Sequence, residues 1–161
     1  MTSYIKKYSP ELLGSLICLT LGMISGYGVK AGASNWYINL HKPGFNPPSW
    51  IFGPVWTVLY LMMGMVLGKV WKERTEKPFL LQLFIIQLLL NLLWSPLFFY
   101  LHRIGLALLD ICLLWACLIL FMILVKNQRA SFLLFLPYTL WVSFAVILNF
   151  NIYKMNLFHA G

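Results

Sequence analysis

Five stretches of this chain run for eighteen residues or more with at most one charged side chain: 12–29, 43–68, 78–101, 104–125 and 130–153. Asp110 is the lone charge among them. A helix needs roughly 20 predominantly apolar residues to cross a bilayer, whereas a barrel strand needs only about 10. In hydrocarbon every backbone N–H and C=O has to be satisfied within the protein, and a helix does this inside its own segment. The connections are short, and 10% of residues are charged against about 25% in soluble domains. The expectation is an all-α polytopic membrane protein, a five-transmembrane-helix bundle. It forms one domain over 1–156, with a short tail at 157–161 that has no assigned role.

The net charge is +8, which in a soluble chain would suggest nucleic acid. Here the basic residues cap the apolar runs, so the expected partner is the lipid bilayer and not nucleic acid. Lys6, Lys7, Lys69, Lys72, Arg74, Lys77, Lys126 and Arg129 fall on one side if the runs alternate. Lys30, Lys42, Arg103 and Lys154 fall on the other. The positive-inside rule then puts the N-terminus and the second and fourth connections in the cytoplasm, with the C-terminus outside a cell membrane.

Two readings compete for the first run. Lys6 and Lys7 before it and Ala31-Gly32-Ala33 after it resemble a signal peptide and its cleavage site. Against this, Gly14, Cys18, Gly22 and Gly26 recur every four residues, a small-residue face that lets helix backbones approach closely in lipid. We read it as a retained packing helix, opened by Ser9-Pro10-Glu11 as cap, first-turn proline and early acid. The same face is also a candidate surface for dimerisation. Cys18, Cys112 and Cys117 lack metal-ligand spacing and read as apolar fillers, so no metal is expected.

Between the first two runs lies a loop, about 33–48, rich in proline and aromatic residues. Proline fixes φ and lacks an N–H, so this segment is neither an ordinary helix nor a central strand. It reads as a stiff lid, with the second span starting at Pro48 or Ser49 and Pro54 inside its beginning. The third span carries Gln87, Asn91, Trp94 and Ser95 at three- and four-residue steps, hence on one stripe. Such a stripe should face the bundle interior, as interhelical glue, as a pocket wall, or as both. In the fourth span Asp110 reads as an interfacial capping or pairing acid within reach of Arg103, with a proton relay as the alternative. In the fifth, Pro137 interrupts the span, and Tyr138, Trp141, Ala145 and Leu148 share a face.

Conventional catalysis has no visible apparatus: no HExxH, phosphate loop or GxSxG occurs. The three histidines, His41, His102 and His159, lie in loops or the tail, and His41 alone is placed to reach a haem from the lid. What remains is aromatic. Trp56 and Tyr60 of the second span, Trp94 of the third and Trp141 of the fifth can converge on a flat apolar ligand, with indole N–H groups, Asn91 or Gln87 orienting it. Trp36 and Trp71, nearer span ends, read instead as interfacial belt residues.

The segments WYINLHKPGFNPPSWIFGPVWTVLYLMMG, QLLLNLLWSPLFF, GLALLDICLLW and LPYTLWVSFAVILNFNIYKMN resemble the TspO/MBR family, also called the translocator or tryptophan-rich sensory protein family. The resemblance runs from about Leu12 to Asn156 and looks bacterial in type. It implies five membrane helices around a pocket closed by the first loop, commonly in a homodimer. It also implies binding of porphyrins (protoporphyrin IX or haem) as ligand, with no required cofactor, and possible roles in tetrapyrrole transport or sensing. By position, the pocket would include Tyr37, Pro47, Trp56, Asn91, Trp94, Trp141, Ala145 and Leu148. The alternative function it implies is light- and oxygen-dependent degradation of protoporphyrin IX, for which Trp56 and Trp141 match the indoles concerned. The sterol motif of animal members is not matched: Phe150 stands where they have tyrosine, and no spacer separates Tyr153 from Lys154.

Overall fold

The structure is a computed structural model that describes residues 2–32 and 35–157. Its elements are all helical: α1 (Thr2–Gly32), α2 (Asn35–Asn39), α3 (Ser49–Lys72), α4 (Pro78–Ser95) with a π-helical turn at Pro96–Tyr100, α5 (Ile104–Leu124) and α6 (Arg129–Asn156). Five segments are long and apolar enough to cross a membrane: Tyr8–Gly26, Ser49–Lys72, Pro78–Tyr100, Ile104–Leu124 and Arg129–Asn156. They correspond to the five apolar runs.

Three boundaries differ from expectation. Helix α1 begins at Thr2 and carries Pro10 inside it, so Ser9 does not cap the helix. The lid is not wholly irregular, because α2 forms one helical turn within it. Lys42 Nζ bonds the carbonyls of Tyr37 and Ile38 at the C-terminal end of that turn, where a cation is favoured. The third change is in α4. Pro96 has no N–H to continue the i→i−4 ladder, and the next turn widens. Leu101 N–H reaches back to Pro96 O at 2.9 Å and Arg103 N–H to Leu97 O at 2.9 Å.

In space α1 packs on α3, α3 on α6, α6 on α5, α5 on α4, and α4 with its π-turn on α1, which closes a ring. The α1–α3 seam is the tightest approach. A Cβ on Gly14 would collide with the Gly64 carbonyl, one on Gly64 with the Ser15 backbone, and one on Gly68 with the Glu11 backbone. Ser15 Oγ donates to Leu61 O at 3.0 Å across the same seam, and Lys72 Nζ meets Glu11 at 2.7 Å. The small-residue face of α1 is therefore packed within the chain at Gly14, Cys18 and Gly22, but not at Gly26. Gly14 is filled by α3 and Gly22 by the Tyr60 ring, which leaves neither for a dimer seam.

The two ends of the ring differ. At the end bearing the Lys72–Lys77 link, Phe84, Phe121 and Phe135 pack at centroid distances of 4.5–6.2 Å and fill the centre. Glu73 ties the two connections there, accepting from Lys77 at 2.6 Å and from Gln128 at 3.1 Å. At the other end the centre stays open beneath the lid.

Two contacts fix that lid. Asn156, at the end of α6, accepts from the His41 backbone N–H at 3.1 Å and donates to the His41 carbonyl at 2.9 Å. Trp36 stacks on His102 at 4.2 Å and meets Phe98 edge-on at 5.7 Å. Trp36 is thus a packing residue of the lid and not a belt residue, whereas Trp71 is exposed with Arg74 over its ring.

Candidate functional site

The open half of the ring is a cavity of about 620 Å³, within the range of ligand sites, about 300–1,000 Å³. Four of its walls come from apolar faces already argued. Helix α3 contributes Trp56 and Tyr60, α4 contributes Asn91, Trp94 and Ser95, and α6 contributes Trp141, Ala145 and Leu148. Tyr37 enters from α2. Its ring packs on Phe99 at 5.4 Å, and its hydroxyl donates to Asn46 Oδ1 at 3.4 Å. Burial raises its pKa above the usual phenol value, against the lowering effect of the Asn46 bond, so Tyr37 is a neutral phenol at physiological pH.

The indoles stand on fixed supports. Trp56 lies 5.5 Å from Tyr60 and 6.2 Å from Tyr138, ring to ring. Trp94 stacks on Phe98 at 5.2 Å, which the π-turn brings beneath it. Its N–H donates to Asn149 Oδ1 at 3.0 Å, so the ring and not the N–H of Trp94 is offered to the cavity. Trp141 packs between Phe52 at 5.9 Å and Phe144 at 5.7 Å.

Two expected site residues lie elsewhere. Gln87 sits one turn deeper than Asn91, is fully buried and does not line the cavity; its Oε1 accepts from Tyr138 at 3.0 Å. Pro47 is half-buried in the lid, where its carbonyl accepts from Asn46, and it too is outside the lining. The polar stripe of α4 is therefore both glue, at Gln87, and wall, at Asn91, Trp94 and Ser95.

The walls that the residue reading missed belong to α5, through Ile111 and Leu114, and above all to α1. Leu19, Gly22, Met23, Ser25 and Gly26 line the cavity opposite Ser49, Trp50, Gly53 and Thr57 of α3. Pinned at Gly14, Gly64 and Gly68, the two helices leave this gap further along. Its rim is open to the outside: Met23 is 60% and Trp50 73% exposed. The four-residue glycine spacing was the available signal, since Gly26 meets nothing within 4 Å.

The charged groups also resolve. Asp110 is 5% exposed, and neither carboxyl oxygen has a partner. It is neither an interfacial cap nor paired with Arg103, because seven residues place Arg103 two turns, roughly 10 Å, along the helix. Arg103 is exposed and lines a separate hollow with His102, Tyr153 and Asn156. Lys42 is held by lid carbonyls, and the side chain of Lys30 lies outside the described residues. His41 is exposed and absent from the cavity lining. No His/Cys/Asp/Glu cluster suited to a metal occurs among the described residues.

Comparison with known proteins shows the family. A model of the TspO/MBR family matches residues 14–155. The chain is 43% identical over 145 residues to Tryptophan-rich protein TspO of Chlorobaculum tepidum, covering 87% of this chain and 91% of that one. It is 37% identical to Tryptophan-rich protein TspO of Archaeoglobus fulgidus, with coverage of 91% and 97%. Identity to the human Translocator protein is 35%, with 89% of each chain covered.

Proposed function

The chain belongs to the TspO/MBR family, and from that premise we propose that it is a membrane receptor whose cavity binds porphyrins, protoporphyrin IX or haem, and related flat apolar molecules. One observation carries the reading: Trp56, Trp94 and Trp141, from three different helices, line a single cavity beneath the lid. Flat aromatic walls suit a flat macrocycle, and the amides of Asn91 and Asn149 stand among them. Among the described residues no histidine or cysteine lines the cavity, so the reading rests on the ring and not on axial ligation of an iron by those residue types.

The test is the Soret shift of protoporphyrin IX titrated into protein held in lipid nanodiscs. Trp56→Phe with Trp141→Phe is expected to raise the apparent Kd about tenfold, and an unchanged Kd in a folded double variant overturns the site. Translocation, the word in the human relative's name, would here be flux of tetrapyrrole across the bilayer, and uptake into sealed vesicles tests it.

A second reading uses the same two indoles. Light and dioxygen would act on protoporphyrin held against Trp56 and Trp141, giving product beyond that from free porphyrin in detergent. Equal yields remove it. The proposed orientation has the Lys72–Lys77 end of the bundle in the cytoplasm and the lid outside, as the charge distribution favours. A homodimer is proposed through a face other than the Gly14–Gly22 stripe, and native mass spectrometry tests it.

A further inference from the structure

Behind the cavity wall a hydrogen-bonded chain joins three helices. Tyr60 O–H donates to Asn91 Oδ1 at 2.6 Å, Asn91 Nδ2–H to Tyr138 Oη at 3.0 Å, and Tyr138 O–H to Gln87 Oε1 at 3.0 Å. The direction follows from the amide orientation in the structure, in which Gln87 turns Oε1 toward Tyr138 and leaves Nε2 without a partner. Gln87 Oε1 can only accept, so Tyr138 spends its proton there and must itself accept from the Asn91 amide nitrogen. That turns the Asn91 oxygen toward Tyr60, which must donate. All the donors point the same way, from the cavity into the bundle, and such chains strengthen each link.

The outer two members, Tyr60 and Asn91, line the cavity, whereas Tyr138 and Gln87 do not and are fully buried. A phenol has one proton and two lone-pair positions. With its proton committed to Asn91, Tyr60 can offer a ligand only acceptor lone pairs. The Trp94 indole N–H at the same wall is likewise committed, to Asn149. We infer that Tyr60 is a specificity-determining residue that selects, among flat apolar ligands, those carrying an N–H or O–H donor on an edge. The inference rests on the cavity being the ligand site, as proposed above.

Two tricyclic probes of nearly the same shape test it: carbazole, with one N–H donor, and dibenzofuran, with a ring oxygen in its place. Binding is measured in nanodiscs by tryptophan quenching, with concentrations corrected for partition into lipid. The protein is expected to bind carbazole about three- to tenfold more tightly, the range for one net hydrogen bond. Tyr60→Phe should bring the ratio to about one by weakening carbazole alone. Equal affinities, a preference for dibenzofuran, or a carbazole preference that survives in Tyr60→Phe each overturn the inference. If that variant does not fold, the comparison in the unsubstituted protein still decides. The site itself has a separate readout: Trp56→Phe with Trp141→Phe should weaken both probes equally. If it weakens neither, the site reading and the inference fall together; weakening without discrimination between the probes removes the inference alone.

Discussion

Asn156 shows how one side chain can anchor a loop by its backbone. Its amide closes both backbone groups of His41, and it is only 8% exposed, so water does not readily replace it. Asn156→Ala is expected to cost about 1–3 kcal/mol and to speed amide exchange at His41 while leaving α3 and α5 protected; unchanged exchange at His41 would show that Trp36 on His102 suffices alone. Asp110 predicts the opposite sign. A charge near the centre of a bilayer costs roughly 2.5–3.5 kcal/mol on insertion scales, and this carboxyl has no partner to offset it. Asp110→Asn should therefore leave the melting temperature unchanged or raise it, and a clear fall would reveal a partner for the carboxylate. Both residues also mark how far residues could be read in advance. The stripe of Gln87, Asn91 and Trp94 was legible from spacing, but spacing does not say which turn meets empty space. One turn of about 5.4 Å separates Asn91 in the wall from Gln87 behind it. Pro47 was carried by resemblance alone, and the local turn holds it off the cavity.

Among the elements, α1 and α3 depend most on each other. Lipid tails are as apolar as leucine, so close packing takes over the role that hydrophobicity plays in water. Gly64→Val would drive a branched side chain into the Ser15 backbone, and backbone cannot rotate aside. The expected cost is at least about 3 kcal/mol, the upper end for overpacking, read as loss of folded protein on extraction. Gly26→Ala is the control. Nothing lies within 4 Å of its would-be Cβ, and alanine is favoured over glycine in a helix by about 1 kcal/mol, so stability should hold or rise. The apolar lengths made all five spans legible, because thickness of hydrocarbon is a one-dimensional requirement. Their edges were less so. Pro10 looked like a helix start yet lies inside α1, and Pro96, within the 78–101 run, ends the regular part of α4. A proline reports that an N–H is missing; the surrounding turns decide whether that matters.

As a whole the molecule is packed solid at one end and hollow at the other, with the phenylalanine trio filling the first and the indoles facing the second. That division could not be read from any single helix, since each supplies one wall and the cavity exists only in the closed ring. The gap between α1 and α3 then has a kinetic consequence. Its rim residues, Met23 and Trp50, are exposed near the ends of two membrane-length spans, where acyl chains meet the interface. A greasy solute would arrive by sideways diffusion within the leaflet, where partitioning has already enriched it. At equal aqueous concentrations, stopped-flow association rates should climb with a solute's oil–water distribution coefficient. Rates that ignore that coefficient would mean arrival from the water side.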